Sequence, residues 1–217
     1  MKIGNLYGSY KPAFVKRDGD WGAQDIKKGS LGGNSIFNTC NFGILSTHGC
    51  YGTQPEIDGV KYTYLLISDF HFGQAYVRLS DMDFGSPGNN GLKWMTILSC
   101  NTLFPANVTS MANNSKLPDN QYLHLLLGNT TVSYSAPDFG LLYASNLVFN
   151  TTIWTSYQNA CRDAYSGAVS RGAKNLTNAA SVRVMGFQSC INDTLFQYSD
   201  PDPNTPYQIL TQNIFTP

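Results

Sequence analysis

His48-Gly49 and Cys100 are the residues of this 217-residue chain whose types and spacing suit chemistry. Each follows a short apolar run: Gly43-Ile44-Leu45-Ser46-Thr47 precedes the first, and Leu92 to Ser99 precedes the second. An imidazole and a thiol about fifty residues apart, delivered by the ends of two buried strands, supply the base and the attacking sulfur of a cysteine nucleophile. In hydrolysis of an acyl bond the thiolate attacks the carbonyl, the imidazole carries a proton to the leaving group, and two backbone N–H groups hold the oxyanion. The amides of Gly49 and Cys100 are the natural donors. A glycine after the histidine fits this role, because a side chain there would obstruct the approach of a substrate carbonyl to the backbone. The competing structural reading makes His48 a strand-end histidine and Cys100 a small buried hydrophobe.

Other candidates are weaker. Cys50 lies two residues from His48, a spacing that rarely permits an in-line dyad, and it is instead a potential disulfide partner of Cys40. No Cys-x-x-Cys or His-x-x-x-His spacing supports a metal site built from His48, Cys50, Cys40 and Cys100, so neither a metal nor a cofactor is expected. Asp81-x-Asp83-x-Gly85 and the Asp200/Asp202/Asn204 ladder have calcium-like oxygen spacing but lack a terminal bidentate glutamate, and read as solvated turns. His71 has no evident partner. His124, placed by the pattern inside an apolar helix, reads as a partly buried structural residue, and Trp94 reads as core.

The elements that must position the pair follow from periodicity. Residues 41 to 47 predict a buried strand ending at His48-Gly49, and Tyr62 to Ile67 with Gln74 to Leu79 predict a hairpin. The glycine-rich loop 85 to 91 leads into the apolar run before Cys100, and a continuous apolar strand implies burial on both faces, as in a parallel sheet. Gln121 to Leu127, with Gly128 behind it, predicts a short helix, and Thr130 to Tyr134 the next strand. Pro137-Asp138 opens a helix with Phe139, Leu142, Tyr143 and Leu147 on one face. A second helix carries Ile153, Tyr157, Ala160, Cys161, Ala164 and Ala168 and ends near Gly172. Ala180 to Phe187 is a strand, and a proline-rich tail over residues 200–217 carries a last strand-like piece, Tyr207 to Phe215. This alternation predicts one α/β domain spanning residues 1–217, a sandwich with a mainly parallel sheet and a variable start over residues 1–40. A short apolar stretch, Ile3 to Tyr7, fits a strand within that start. Sites in such sheets lie beyond the carboxyl ends of strands, where His48 and Cys100 both fall.

Lysine plus arginine equals aspartate plus glutamate, 14 against 14, which removes the basic footprint that nucleic-acid binding requires. No run reaches the roughly 18 apolar residues of a membrane span, and the first residues hold no apolar core of a signal peptide. Charged residues are only 13% of the chain and neutral polar residues abound, a composition leaning towards an extracellular setting. Sequons at Asn107, Asn113, Asn129, Asn150, Asn175 and Asn192 point weakly the same way. Five cysteines are too few and too irregular for a disulfide framework, and Cys100 is the expected thiol.

Residues 42 to 49 and 94 to 100 resemble the shared signature of the caspase-like cysteine peptidases: an apolar strand and His-Gly, then an apolar strand and a small residue before Cys. Cys100-Asn101-Thr102 is similar to the Cys-x-Thr of bacterial members. The order strand-His-Gly, Leu-x-Trp-x-x-x-x-Ser-Cys and Leu-His-x-x-Leu-Gly also resembles an uncharacterised bacterial caspase-like family. The resemblance implies a three-layer sandwich with a mainly parallel caspase-like sheet, shortened at the N-terminus because the region before His48 is short. It implies a cysteine endopeptidase acting on a protein or peptide substrate through His48 and Cys100, with the Gly49 and Cys100 amides as oxyanion donors. The alternative is a catalytically inactive recognition module on the same fold. Tyr134-Ser135-Ala136-Pro137 looks like the segment that lines the primary specificity pocket of caspases, making Ser135, Ala136, Pro137 and Asp138 the expected substrate-binding residues. Asp138 inside that pocket would favour a basic side chain; at the helix end beside it, the same carboxylate would complement the helix dipole. Two residues before the nucleophile, where several of these families carry a polar selector, this chain has Leu98, so no aspartate or arginine specificity carries over.

Overall fold

A computed structural model describes residues 22–27, 29–32, 36–51, 63–69, 73–82, 84, 91–105, 108, 123–131, 138–172, 180–202 and 207–215. Five strands, β1 (Phe42–Ser46), β5 (Trp94–Leu98), β6 (Leu125–Asn129), β7 (Ala180–Phe187) and β8 (Tyr207–Phe215), form the main sheet in that spatial order. β1, β5 and β6 pair in parallel, whereas β7 runs against β6 and β8 against β7. Four of the five strands therefore point the same way, as the sequence predicts for a mainly parallel α/β sheet. A second, antiparallel sheet holds β2 (His48–Tyr51), β3 (Thr63–Asp69) and β4 (Gly73–Val77), the last two being the expected hairpin.

The main sheet is buried on both sides because its apolar strands alternate between two cores. Trp94, Leu125, Leu127, Val182 and Val184 face the helices, while Leu45, Met95, Ile97, Leu126 and Met185 face away from them. Two helices cover the first face; with the short helix α1 (Ala23–Ile26) before them, they are α2 (Phe139–Val148) and α3 (Ile153–Ser170). On α2 the predicted Phe139, Tyr143 and Leu147 are buried and Leu142 partly so; on α3 the predicted Ile153, Tyr157, Ala160, Cys161, Ala164 and Ala168 are buried, joined by Trp154, Ser156 and Tyr165, which the spacing does not single out. Thr152 caps α3 by accepting from the Thr155 amide at 3.1 Å, and Gly172 leaves the helix with φ +80°, a left-handed conformation open to glycine. On the opposite face, Leu65 and Val77 of the small sheet join Ile26 and Phe37 of the N-terminal segment and Leu103 and Val108 after β5. Among the described residues, that third layer is a small sheet with short helical turns.

Several expectations are corrected. The stretch ending at Leu127 is a strand rather than a helix; an apolar run buried on both faces has no one-sided period, so its pattern does not separate the two. Gly128 stays within the strand, where a Cβ would lie 3.0 Å from Leu103 Cγ, and β6 ends at Asn129; of the strand expected at Thr130 to Tyr134, residues 132–134 lie outside the described residues. His48-Gly49 opens β2 instead of closing β1. The strand-like piece expected at Tyr207 to Phe215 is β8, which pairs along the whole of β7. The Asn129 side chain is buried inside the sheet, which removes one of the six sequons as an acceptor. Asp81, read as part of a solvated turn, ends the 3-10 turn Leu79–Asp81 and pairs with its neighbour Arg78 (2.9 Å). Ile3 to Tyr7, His71, Asp83, Gly85 and Asn204 lie outside the described residues.

Candidate active site

Parallel pairing of β1 with β5 brings the two motifs together. Ser46 lies opposite Leu98, and the Thr47 amide extends the ladder by donating to Leu98 O at 3.1 Å. The chain then leaves this sheet for the small one: the Thr47 hydroxyl donates to Leu66 O, and His48 and Gly49 pair with Leu66 and Leu65. This switch lays the His48-Gly49 backbone across the turn after β5. A Cβ built on Gly49 would stand 2.0 Å from Cys100 O, 2.9 Å from Cys100 C and 2.6 Å from Ser99 Oγ. The two motifs thus touch through their main chains, as the sequence expects of neighbouring strand ends. The physical need for the glycine differs from the expected one: the protein's own Cys100 carbonyl fills the space where a side chain would go.

Cys100 sits on a tight turn held from several directions. Asn101 takes a left-handed conformation, φ +53°, which asparagine tolerates better than most residues. The Thr102 hydroxyl and the Asn129 side-chain amide both donate to Ser99 O, at 2.9 and 3.4 Å. The end of β6 clasps the same turn, with Asn101 N donating to Thr131 O (2.8 Å) and Leu103 N to Asn129 O (2.9 Å). The Arg183 guanidinium of β7 donates to Leu103 O at 2.9 Å, and burial pulls its ionisation below the usual arginine value. Asn129 and Arg183 are supporting residues that the sequence does not single out; only the adjacency of Asn101 and Thr102 to Cys100 hints at the turn.

His48 is exposed and Cys100 half-buried, so both are open to solvent while the turn beneath them is closed. Ser99 is fully buried, and its hydroxyl has no hydrogen-bond partner among the described residues. The thiols of Cys40, Cys161 and Cys190 are desolvated. Burial pushes Cys40 up to about 11, Cys161 to about 12 and Cys190 to about 12. Cys40 is a thiol that donates to Phe37 O at 3.1 Å, so the suggested Cys40–Cys50 disulfide is not formed. The Cys50 side chain, and Ser135, Ala136 and Pro137 of the expected pocket, lie outside the described residues. Asp138 is exposed at the start of α2, with its carboxylate 3.4 Å from Arg171 at the end of α3. His124, read from the sequence as a partly buried structural residue inside a helix, instead lies just before β6 and is fully buried, with Nδ1 2.6 Å from Asp193 Oδ2. Among the described residues no helix is long and apolar enough to cross a membrane.

No curated protein and no solved structure matches the chain. A family model described as a domain of unknown function, DUF6345, matches residues 7–212, which takes in both strand-end motifs, the helices α2 and α3 and the first six of the nine residues of β8. The chain belongs to the DUF6345 family.

Proposed function

We propose that this chain is a cysteine endopeptidase of the caspase-like type, with Cys100 as nucleophile and His48 as general base and acid. The observation that carries the reading is the main-chain contact between Gly49 and Cys100, which sets the residue after His48 against the Cys100 backbone just beyond the carboxyl ends of the adjacent parallel strands β1 and β5. In the reaction, Cys100 Sγ forms a bond to the substrate carbonyl carbon and the oxyanion takes hydrogen bonds from the Gly49 and Cys100 amides. His48 delivers the proton to the departing amine as the C–N bond breaks. A water molecule, deprotonated by the same imidazole, hydrolyses the thioester and regenerates the thiol.

Further support comes from the turn. Bonds to Ser99 O from Thr102 and Asn129 fix the residue just before the nucleophile, and fixed geometry is what a near-attack arrangement requires. Solvent access favours Cys100 over the buried Cys161 and Cys190. The test is hydrolysis of a diverse fluorogenic peptide library by the wild-type chain, Cys100→Ala, His48→Ala and Cys161→Ala. Loss of turnover in the first two variants and its retention in Cys161→Ala are expected. Turnover that survives Cys100→Ala would overturn the assignment, and a folded wild type without turnover or acylation would leave a recognition module.

A further inference from the structure

A second group of reactive side chains lies at the opposite end of the main sheet. His124 immediately precedes β6, Cys190 ends the 3-10 turn Gln188–Cys190 that follows β7, and Asp193 lies on the next turn. Beside them is Trp94, the first residue of β5, so the group sits where the parallel strands begin, away from Cys100. All three residues are buried, at 1%, 0% and 2% exposure, and one donor atom from each lies within 4.8 Å of the others. We propose that His124, Cys190 and Asp193 form a binding site for one divalent transition-metal ion of the zinc class.

An imidazole, a thiolate and a carboxylate are the donors that zinc selects, and no hard-cation oxygen cage is present among these three. The Ser199 carbonyl, 3.5 Å from Cys190 Sγ, offers a fourth donor at a separation close to the roughly 3.5 Å edge of a tetrahedron with such bond lengths. Asp193 is held in place by Trp94 Nε1 (2.9 Å) on Oδ2 and by the Ser199 amide (3.0 Å) on Oδ1, the outer support that ordered metal ligands have. His124 Nδ1 and Asp193 Oδ2 need to part only from 2.6 Å towards roughly 3.3 Å to stand as neighbouring ligands. A dication matched by one thiolate and one carboxylate is neutral overall, which suits a buried position. Lys93, the nearby cation, places its ammonium over the Tyr198 ring, 5.0 Å from the centroid.

The experiment is a cobalt(II) titration of the full chain, first treated with chelator and then followed by thiolate-to-metal charge-transfer absorption. Wild type, Cys190→Ser, Cys100→Ala and Asp193→Asn are compared. The expected result is a band that saturates at about one ion per chain in wild type and in Cys100→Ala, with the metal also raising the thermal midpoint. In Cys190→Ser the band disappears; in Asp193→Asn uptake weakens at least tenfold. Should Cys190→Ser not fold, single replacement of Cys40, Cys50 and Cys161 by Ser must each leave the band in place. Absence of saturable uptake in wild type overturns the site, as does a band that survives in Cys190→Ser or vanishes in Cys100→Ala.

Discussion

Gly49 is the residue on which the candidate site turns. Its missing side chain is what lets β2 rest on Cys100 O, and a Cβ at 2.0 Å cannot be accommodated without moving one of two backbones. Gly49→Ala is therefore expected to destabilise the fold by about 1–3 kcal/mol and to abolish reactivity at Cys100 beyond that loss of stability. Equilibrium denaturation together with thiol labelling of the folded fraction measures the two effects separately. Ser99 offers the opposite case. Its buried hydroxyl has no partner among the described residues, so Ser99→Ala should leave stability unchanged or raise it by up to about 1 kcal/mol, read from the denaturation midpoint. The sequence made the glycine legible as a place of close approach, but not what approaches it, because Cys100 O arrives from a strand fifty residues away.

At the scale of elements, the polar tie at the start of β5 and β6 is the feature with the largest expected consequence. One Asp193 carboxylate joins Trp94 of β5, His124 before β6 and Ser199 of the C-terminal segment, all within a buried region. Asp193→Ala strands three donors and is expected to cost about 3–5 kcal/mol, measured by denaturant unfolding. Removing the Thr152 cap of α3 is a milder change, and Thr152→Ala should cost about 1 kcal/mol. The helices were legible because each has one apolar stripe against the sheet, as Phe139, Tyr143 and Leu147 show. β6 was misread because Leu125, Leu126 and Leu127 are all buried, which erases the alternation that marks a strand. The Asp193 tie was invisible because its members are 69 and 99 residues apart in sequence.

For the whole molecule, a mainly parallel sheet between two cores puts the His48-Gly49 and Cys100 segments beyond the carboxyl ends of β1 and β5 and one buried polar cluster at the other end. The same cores govern alkaline stability. Cys161 and Cys190 are raised from the ordinary 9.0 to about 12 by desolvation, and burial also raises Tyr143, Tyr157 and Tyr207. Each of these groups binds its proton more tightly when folded, so its contribution is fully present below its unfolded value and is lost as pH rises towards its folded value. The thermal midpoint should fall from about pH 9 upwards and collapse towards pH 12, with no comparable change from these groups between pH 6 and 8. Fold class was readable from strand and helix alternation over the whole chain. What covers the second face was not, since β2, β3 and β4 form a separate sheet only because the chain switches sheets at Thr47.

The pairing of His48 with Cys100 is tested most directly by treating the intact chain with an acyloxymethyl-ketone library at neutral pH and mapping the modified thiol by mass spectrometry. Modification at Cys100 alone is expected, abolished by Cys100→Ala, strongly reduced by His48→Ala and unchanged by Cys161→Ala. Modification spread evenly over the five cysteines, or unaffected by His48→Ala, would contradict it.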